Sequence, residues 1–312
     1  MAQPEQNQQK KPFSSFRLLS FDIYGTLIDW ETGIFDALTP LRSRLPEGHP
    51  LKSDAMALGA MFNAHEIRIQ AEQPGLRYNA VLREAYVALA REVGALPSPA
   101  AGGDSDAGGD VDSTLSVEGT AFAASITHWP AFPDTVPATR KLKRLGFKLV
   151  PLSNVDRASF AKTLSGPLAG LTQPDEEEEA ASGPASASGL GVDPCFDAIY
   201  TAQDIGSYKP DVRNFDYLIE HVARDFGVAK HEILHVAQSL FHDHEPAKKV
   251  GLASVWIARG EKDGESAMGG KVEEFLGSEG KVTFGWKFRS LGEFADAVER
   301  EMLEEERKKF AA

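Results

Sequence analysis

The sequence predicts an α/β fold built on a parallel sheet, and three observations carry that prediction. Five short apolar runs, at 16–21, 147–152, 196–201, 233–237 and 253–258, are separated by stretches whose apolar residues recur at helical spacing. Such alternation yields parallel strands joined by right-handed crossovers. Polar residues follow the runs in order: Asp22, then Ser153 and Asn154, then Lys209, then Asp243. A parallel sheet gathers its strand ends on one edge, where ligands of open α/β sheets bind. Finally, a chain of 312 residues with 42% apolar content can bury a sizeable core.

The first run (Phe16, Leu18, Leu19, Phe21) reads as a buried strand ending on Asp22, and Gly25 lets backbone N–H groups approach an anionic oxygen. Asp after an apolar run is also an ordinary turn residue. From Thr32 to about Leu96 the spacing predicts several helices, broken at Pro74 and Gly75. Pro97 to Gly119 is rich in Pro, Gly, Ser, Asp and Ala, which predicts a disordered or loose loop. Trp129 to Asp134 reads as the return to the core, with Pro133 and Asp134 forming an N-cap for the stretch Val136, Leu142, Leu145. The second strand contains Pro151, so pairing there is incomplete on one side. Residues 165–192 read as a low-complexity insert, and Gly206 to Asp211 as a turn into a helix carrying Phe215, Leu218, Ile219 and Val222. Lys209 precedes Pro210 and is therefore held extended. Glu261 to Lys281 reads as a loose Gly-rich segment, and Leu291 to Phe310 as a terminal helix.

The net charge of -13 is localised. Asp104, Asp106, Asp110, Asp112 and Glu118 lie in one stretch, and Asp175 with Glu176, Glu177, Glu178 and Glu179 in another; without these ten the balance is -3. Acidic runs of this kind read as solvated loops. The near-neutral remainder argues against nucleic acid or an anionic membrane as partner. Met1 to Pro12 are polar and no run reaches membrane-spanning length, so a soluble, cytoplasmic protein is expected. The single Cys195 beside Pro194 and Phe196 reads as a small apolar filler. A homodimer is left open.

An Asp, a hydroxyl–amide pair, a Lys and a second Asp at successive strand ends form a site for an anionic substrate attacked by a carboxylate. Four pieces, Phe21-Asp22-Ile23-Tyr24-Gly25-Thr26-Leu27, Leu152-Ser153-Asn154, Tyr208-Lys209-Pro210-Asp211 and Ser239 to Asp243, together resemble the haloacid dehalogenase superfamily. The resemblance implies a Rossmann-like catalytic core over 13–31 and 129–312, with the insert 165–192, and an all-helical cap domain over 32–128 that closes on the site. It implies Asp22 as nucleophile of a covalent ester intermediate, with Thr26, Ser153 and Asn154 binding an anionic oxygen or orienting Asp22. Lys209 would neutralise the carboxylates, and Asp243 would position Lys209 and help deliver water.

Phosphatases of this group resemble one another in carrying a second Asp two residues after the nucleophile, to protonate an alkoxide. Here Tyr24 stands in that position, and Ser239 stands where they carry an acid at the fourth strand end. A halide leaves without a proton, so the pattern resembles the type II 2-haloacid dehalogenase branch. Tyr24 and Ser239 would then lie against substrate, with no metal and no cofactor. The alternatives are a small-molecule phosphatase, in which Mg²⁺ would sit on Asp22 and Asp243, and a non-catalytic binding descendant. Departures from the dehalogenases are Phe62-Asn63 where their halide-receiving cap Arg stands, with Arg68 further on, Leu240 in place of an Asn, and Phe215 in place of an aromatic hydroxyl. His242 and His244 flank Asp243; His-x-His invites zinc, but without a further ligand it reads as an exposed helix start.

Overall fold

The computed structural model describes residues 11–97, 111–172, 195–260, 272–276 and 280–311. Six parallel strands form one sheet in the order β3-β2-β1-β4-β5-β6. They are β1 (Leu18–Phe21), β2 (Lys148–Ser153), β3 (Tyr200–Thr201), β4 (Ile233–Ala237), β5 (Ala253–Ile257) and β6 (Trp286–Phe288). β1 and β4 are buried along their whole length, as expected for central strands covered by helices on both faces. In register, Phe21 of β1 lies between Pro151 of β2 and Val236 of β4. The three chains therefore end side by side.

β3 is shorter than the predicted run 196–201. Pro151 has no N–H to offer, and β2 pairs with β3 only from Leu152 and Ser153 onward. Upstream, Asp197 takes over the ladder's work: its N–H donates to Leu149 O (2.9 Å) and its carboxylate accepts from Leu149 N (2.9 Å). β6 had no forecast, since a run of three residues, Trp286-Lys287-Phe288, is too short to read as a strand.

Among the described residues between β1 and β2, every regular element is a helix. The elements are α1 (Trp30–Ala37), α2 (Thr39–Ser43), α3 (Pro50–Ser53), α4 (Ala55–Glu72), α5 (Tyr78–Glu92), α6 (Val111–Ala124) and a 3-10 turn Ser125–His128. Asp54 caps α4 by accepting from Ala57 N (2.8 Å), satisfying an orphan donor of the first turn. Leu58 and Phe62 of α4, Leu82 and Tyr86 of α5, and Leu115 and Phe122 of α6 are buried together. The Phe122 ring stands 5.0 Å from Phe62 and 5.2 Å from Tyr86.

Helix α6 corrects the reading of 97–119 as a loose loop. Residues 98–110 lie outside the described residues, but 111–119 are helical, and Leu115 and Gly119 are buried. Glu118, read as part of a solvated acidic run, makes a two-pronged ion pair with Arg44 (2.6 and 2.8 Å) and accepts from Tyr86 Oη (2.9 Å). Arg44 holds the Glu118 carboxyl below its ordinary value. The insert 165–192 is corrected in the same way. Residues 173–192 are outside the described set, whereas Ser165 ends a helix, α8 (Arg157–Ser165), and Leu168 and Leu171 are buried. Within Glu261 to Lys281, the described stretch Val272–Leu276 is helical, with Phe275 buried.

The chain enters and leaves the helical segment at one place. Asp29 N donates to Pro130 O (2.7 Å), Phe132 N donates to Leu27 O (3.1 Å), and Ile28 pairs antiparallel with Ala131. After this crossing comes α7 (Thr135–Arg144), which the terminal helix Leu291–Ala311 covers. Lys141 of α7 bonds Asp296 and Glu299 on that helix (2.7 and 2.9 Å). No helix among the described residues is long and apolar enough to cross a membrane.

Candidate active site

The apolar run that makes β1 a central strand leaves Asp22 just beyond its end, with Asp22 N donating to Val236 O (3.1 Å). The chain then turns tightly: Leu27 N and Ile28 N both donate to Ile23 O (2.8 and 2.9 Å), and Gly25 N donates to Ile28 O (2.8 Å). Gly25 has φ +97°, and a Cβ there would stand 2.7 Å from Trp30 Nε1, so only glycine fits. The turn brings Thr26 back under the carboxylate. Its hydroxyl donates to Asp22 Oδ2 (2.7 Å) and accepts from Gln238 N (2.9 Å).

Lys209 is buried and spends all three N–H donors. Nζ bonds Asp22 Oδ1 (2.8 Å), Asp243 Oδ1 (2.7 Å) and Leu152 O (2.9 Å). Asn154 fixes the lysine's backbone from both sides, accepting from Lys209 N (2.7 Å) and donating to Lys209 O (3.0 Å). Asp243 arrives on a π-helical turn, Leu240–His244, capped by Ser239 Oγ, which accepts from His242 N (3.0 Å). Its Oδ1 also bonds His235 Nε2 (2.9 Å), and Oδ2 is buried with no hydrogen-bond partner.

The electrostatics follow from this burial. Desolvation pushes the Asp22 carboxyl above its ordinary value; the Lys209 charge pulls it down and the Asp243 charge adds to the rise. For Asp243 burial also works against the charge, but Lys209 and His235 overcome it and hold the carboxyl well below the carboxylate range. For Lys209 burial opposes the charge and the two carboxylates outweigh it, so the ammonium is held above its ordinary value. Burial pushes His242 down to about 4, so the imidazole is neutral at physiological pH.

Of the residues singled out in the sequence, Asp22, Tyr24, Asn154, Lys209, Ser239 and Asp243 line one cavity of about 50 Å³, together with His242 and with Asn63 from the helical segment. A water needs roughly 10–15 Å³ by a comparable measure, so the space beside these residues holds a small group. Thr26 is buried beneath, oriented on Asp22. Ser153 is buried with its hydroxyl unpartnered and does not line the cavity. Tyr24 borders the cavity, but its hydroxyl bonds Thr163 Oγ1 (2.7 Å); burial raises its pKa, so it stays protonated. Arg68 is exposed and paired with Glu72 (2.9 Å), away from the site. Phe215 is buried 5.1 Å from the His235 ring.

The reading of His242 and His244 as an exposed helix start is overturned. His244 is fully buried, with Nε2 on Ala237 O (3.0 Å) and Nδ1 on Ser254 Oγ (2.9 Å), so both nitrogens serve the fold. Among the described residues no three His, Cys, Asp or Glu side chains gather to hold a metal. The donor set around Asp22 suits Mg²⁺ poorly. Three of the four carboxylate oxygens of Asp22 and Asp243 already accept hydrogen bonds, an ammonium sits between the two groups, and Ser239 supplies no charge.

Sequence reasoning missed four supports. Gln238 closes the Thr26 relay, and His235 positions Asp243; the only signal for His235 was an imidazole inside an apolar strand. Arg259, just past β5, donates through Nε and Nη2 to Thr26 O (3.2 and 2.9 Å) and through Nη1 to Asp134 Oδ1 (2.8 Å), its guanidinium 4.0 Å over the Phe132 ring. Asp134, expected to cap α7, makes no side-chain cap bond there and instead holds Arg259 and Gly292 N (3.0 Å). Because a lysine cannot reproduce this fork, Arg259→Lys is expected to cost about 1–3 kcal/mol of stability and to lower kcat by loosening Thr26. Thermal melts and steady-state rates check this; an unchanged kcat would separate Arg259 from the site.

Comparisons with known proteins agree with this architecture. The haloacid dehalogenase-like hydrolase family matches residues 16–251. A crystal structure of a dehalogenase with an intermediate complex has 19% sequence identity and a TM-score of 0.61, covering 90% of this chain and 96% of its own. The L-2-haloacid dehalogenase of Xanthobacter autotrophicus has 17% identity and a TM-score of 0.60, covering 91% and 98%. A HAD-hydrolase of Bacillus subtilis, YfnB, bound to magnesium, has 18% identity and a TM-score of 0.57, covering 91% and 99%. No curated protein matches the chain. At these identities the solved structures speak for the fold, a parallel α/β sheet with a helical insertion after its first strand. With the family match spanning most of the sequence, the chain belongs to the haloacid dehalogenase-like hydrolases.

Proposed function

We propose that this protein displaces halide from short 2-halocarboxylates, with Asp22 as nucleophile and without a divalent ion. The observation that carries the reading is the pairing of Asp22 with Lys209 and Thr26 at a small buried cavity in which the +2 side chain, Tyr24, is committed to Thr163. A carboxylate oxygen of Asp22 attacks C2, the carbon–halogen bond breaks, and the halide leaves with the bonding pair; no proton is required. Water then adds to Cγ of the ester, and the 2-hydroxyacid departs carrying an oxygen from Asp22. Lys209 keeps Asp22 ionised against its burial. The unpartnered Oδ2 of Asp243 is the acceptor available to the water's proton. The solved structures named as dehalogenases support the reading by fold alone.

The test is halide release from a panel of 2-chloro- and 2-bromocarboxylates, with mass spectrometry of the Asp22 adduct. Release is expected to survive EDTA, and phosphate monoesters are expected to turn over poorly. Phosphatase activity that EDTA abolishes and Mg²⁺ restores, with no halide released from any 2-haloacid, overturns the proposal.

A further inference from the structure

The helical segment contributes one acidic side chain to the cavity that neither the sequence pattern nor the reaction above uses. Glu66 of α4 lines the same cavity as Asp22 and Lys209 and is 7% exposed. Gln70 Nε2 donates to its Oε1 (2.9 Å), while Oε2 is buried with no hydrogen-bond partner. No cation compensates it: among the described residues no Lys, Arg or His is paired with Glu66. A buried carboxylate without a cation or a full set of donors is costly, and such a group stays protonated instead. As a neutral acid it becomes a donor, and the one oxygen without a partner is the one able to present that proton to the cavity.

We infer that Glu66, in its neutral form, is the hydrogen-bond donor that seats the carboxylate of the substrate, in a cavity to which the helical segment brings no cation. This assignment rests on the reading of the substrate as a short carboxylate. It makes Glu66 a specificity residue with a charge rule. Neutral Glu66 admits an anion, and ionised Glu66 repels it beside the existing charges of Asp22 and Asp243.

The surroundings favour the neutral state. Burial raises Glu66 to about 7; the Tyr78 hydroxyl, close enough to act on the carboxyl as a donor although it makes no hydrogen bond of good geometry, and the Gln70 amide offset this only in part. The groups facing it from other elements hold their states across neutrality. Burial keeps Tyr78 of α5, Tyr24 after β1 and Tyr208 beside Lys209 protonated. At the far side His242 is neutral, Asp243 is ionised and Lys209 is charged. Asp22, across the cavity, is raised by burial and drawn back down by the Lys209 charge, and Glu66 is placed to titrate near pH 7. A bound anion raises its pKa further, so binding above that pH takes up a proton.

The test uses propionate, which carries the carboxylate and has nothing to displace, so it is independent of halide release. Calorimetry on the full chain should show Kd constant below about pH 6.5 and rising toward tenfold per pH unit above about pH 7.5. Proton uptake should be visible as a dependence of the heat on the buffer. Glu66→Gln keeps a neutral donor of the same shape and is expected to bind propionate at pH 6 within a few fold of the parent and to lose the rise. Glu66→Ala should weaken binding at every pH; a melt of each variant confirms folding. A flat Kd in the parent, the same rise in Glu66→Gln, or no propionate binding at pH 6 overturns the assignment. Propionate binding as described without halide release from any 2-haloacid would overturn the proposed reaction and leave Glu66 as an anion gate.

Discussion

Asp22→Asn is expected to abolish turnover, by about a thousandfold or more, while leaving the protein at least as stable as the parent at pH 7. Loss of a nucleophile removes the covalent route altogether. The stability half of the expectation comes from the sign of the pKa shift. Burial raises Asp22 above its ordinary value, so folding disfavours its charge relative to the unfolded chain. That contribution is favourable below the unfolded pKa and is lost as pH rises through the folded one; at pH 7 the charge is a net cost. An Asn removes the cost. Its Oδ1 still accepts from Lys209, which keeps Asp243 as counter-ion (2.7 Å). Denaturant melts should show a midpoint equal to or above the parent at pH 7, the difference shrinking toward pH 4. A large loss of stability with activity retained would make Asp22 a structural cap.

Lys209→Met should cost both activity and stability. The ammonium bonds Asp22, Asp243 and Leu152 O, and its removal leaves two buried carboxylates facing each other without a cation. Breaking a buried pair in this way costs about 3–5 kcal/mol. With the lysine gone both carboxyl pKa values rise, so the deficit is largest at neutral pH and shrinks on acidification, as each carboxylate takes up a proton. Denaturant titrations of parent and variant at pH 5 and pH 8 check it. A deficit independent of pH would mean that lost packing of the lysine stem, rather than the orphaned charges, sets the cost.

The sheet and the three central charges were legible in the sequence for one reason. Central parallel strands are apolar on both faces, and the first polar residue after each such run is where the chain leaves the sheet. Asp22 is that residue for β1. Lys209 and Asp243 lie a few residues past β3 and β4, and were found because a Lys before Pro and an Asp after a turn stand out. What was not legible depends on neighbours distant in sequence. Helix α6 looks like a linker by composition, since Ser, Thr, Gly and Asp fill six of its fourteen positions; Leu115, Phe122 and the Arg44 partner of Glu118 make it helical. Arg259 and Gln238 reach Thr26 from other strand ends, and no local pattern marks a side chain that serves a turn more than two hundred residues away. Asp134 carried a genuine capping signal, but a guanidinium offered more than a backbone N–H. Glu66 was hidden for the same reason as α6: an acidic residue at a helical position reads as solvent-facing until the second body that buries it is known.

The crossing at which Asp29 meets Pro130 and Ile28 meets Ala131 makes the helical segment, seen from the sheet, a single long excursion that begins and ends at one point. The sheet's own hydrogen bonds close beneath it: Phe132 N and Thr135 Oγ1 both donate to Leu27 O (3.1 and 2.6 Å). The Asp22, Lys209 and Asp243 cluster stays on the sheet side of that seam, and Glu66 and Tyr78 travel with the excursion. The charged cluster at the sheet edge and the acid that faces it are therefore carried on separate lengths of chain. Under the proposed reaction, a change confined to the excursion would alter what the cavity admits and leave the Asp22–Lys209–Asp243 cluster in place.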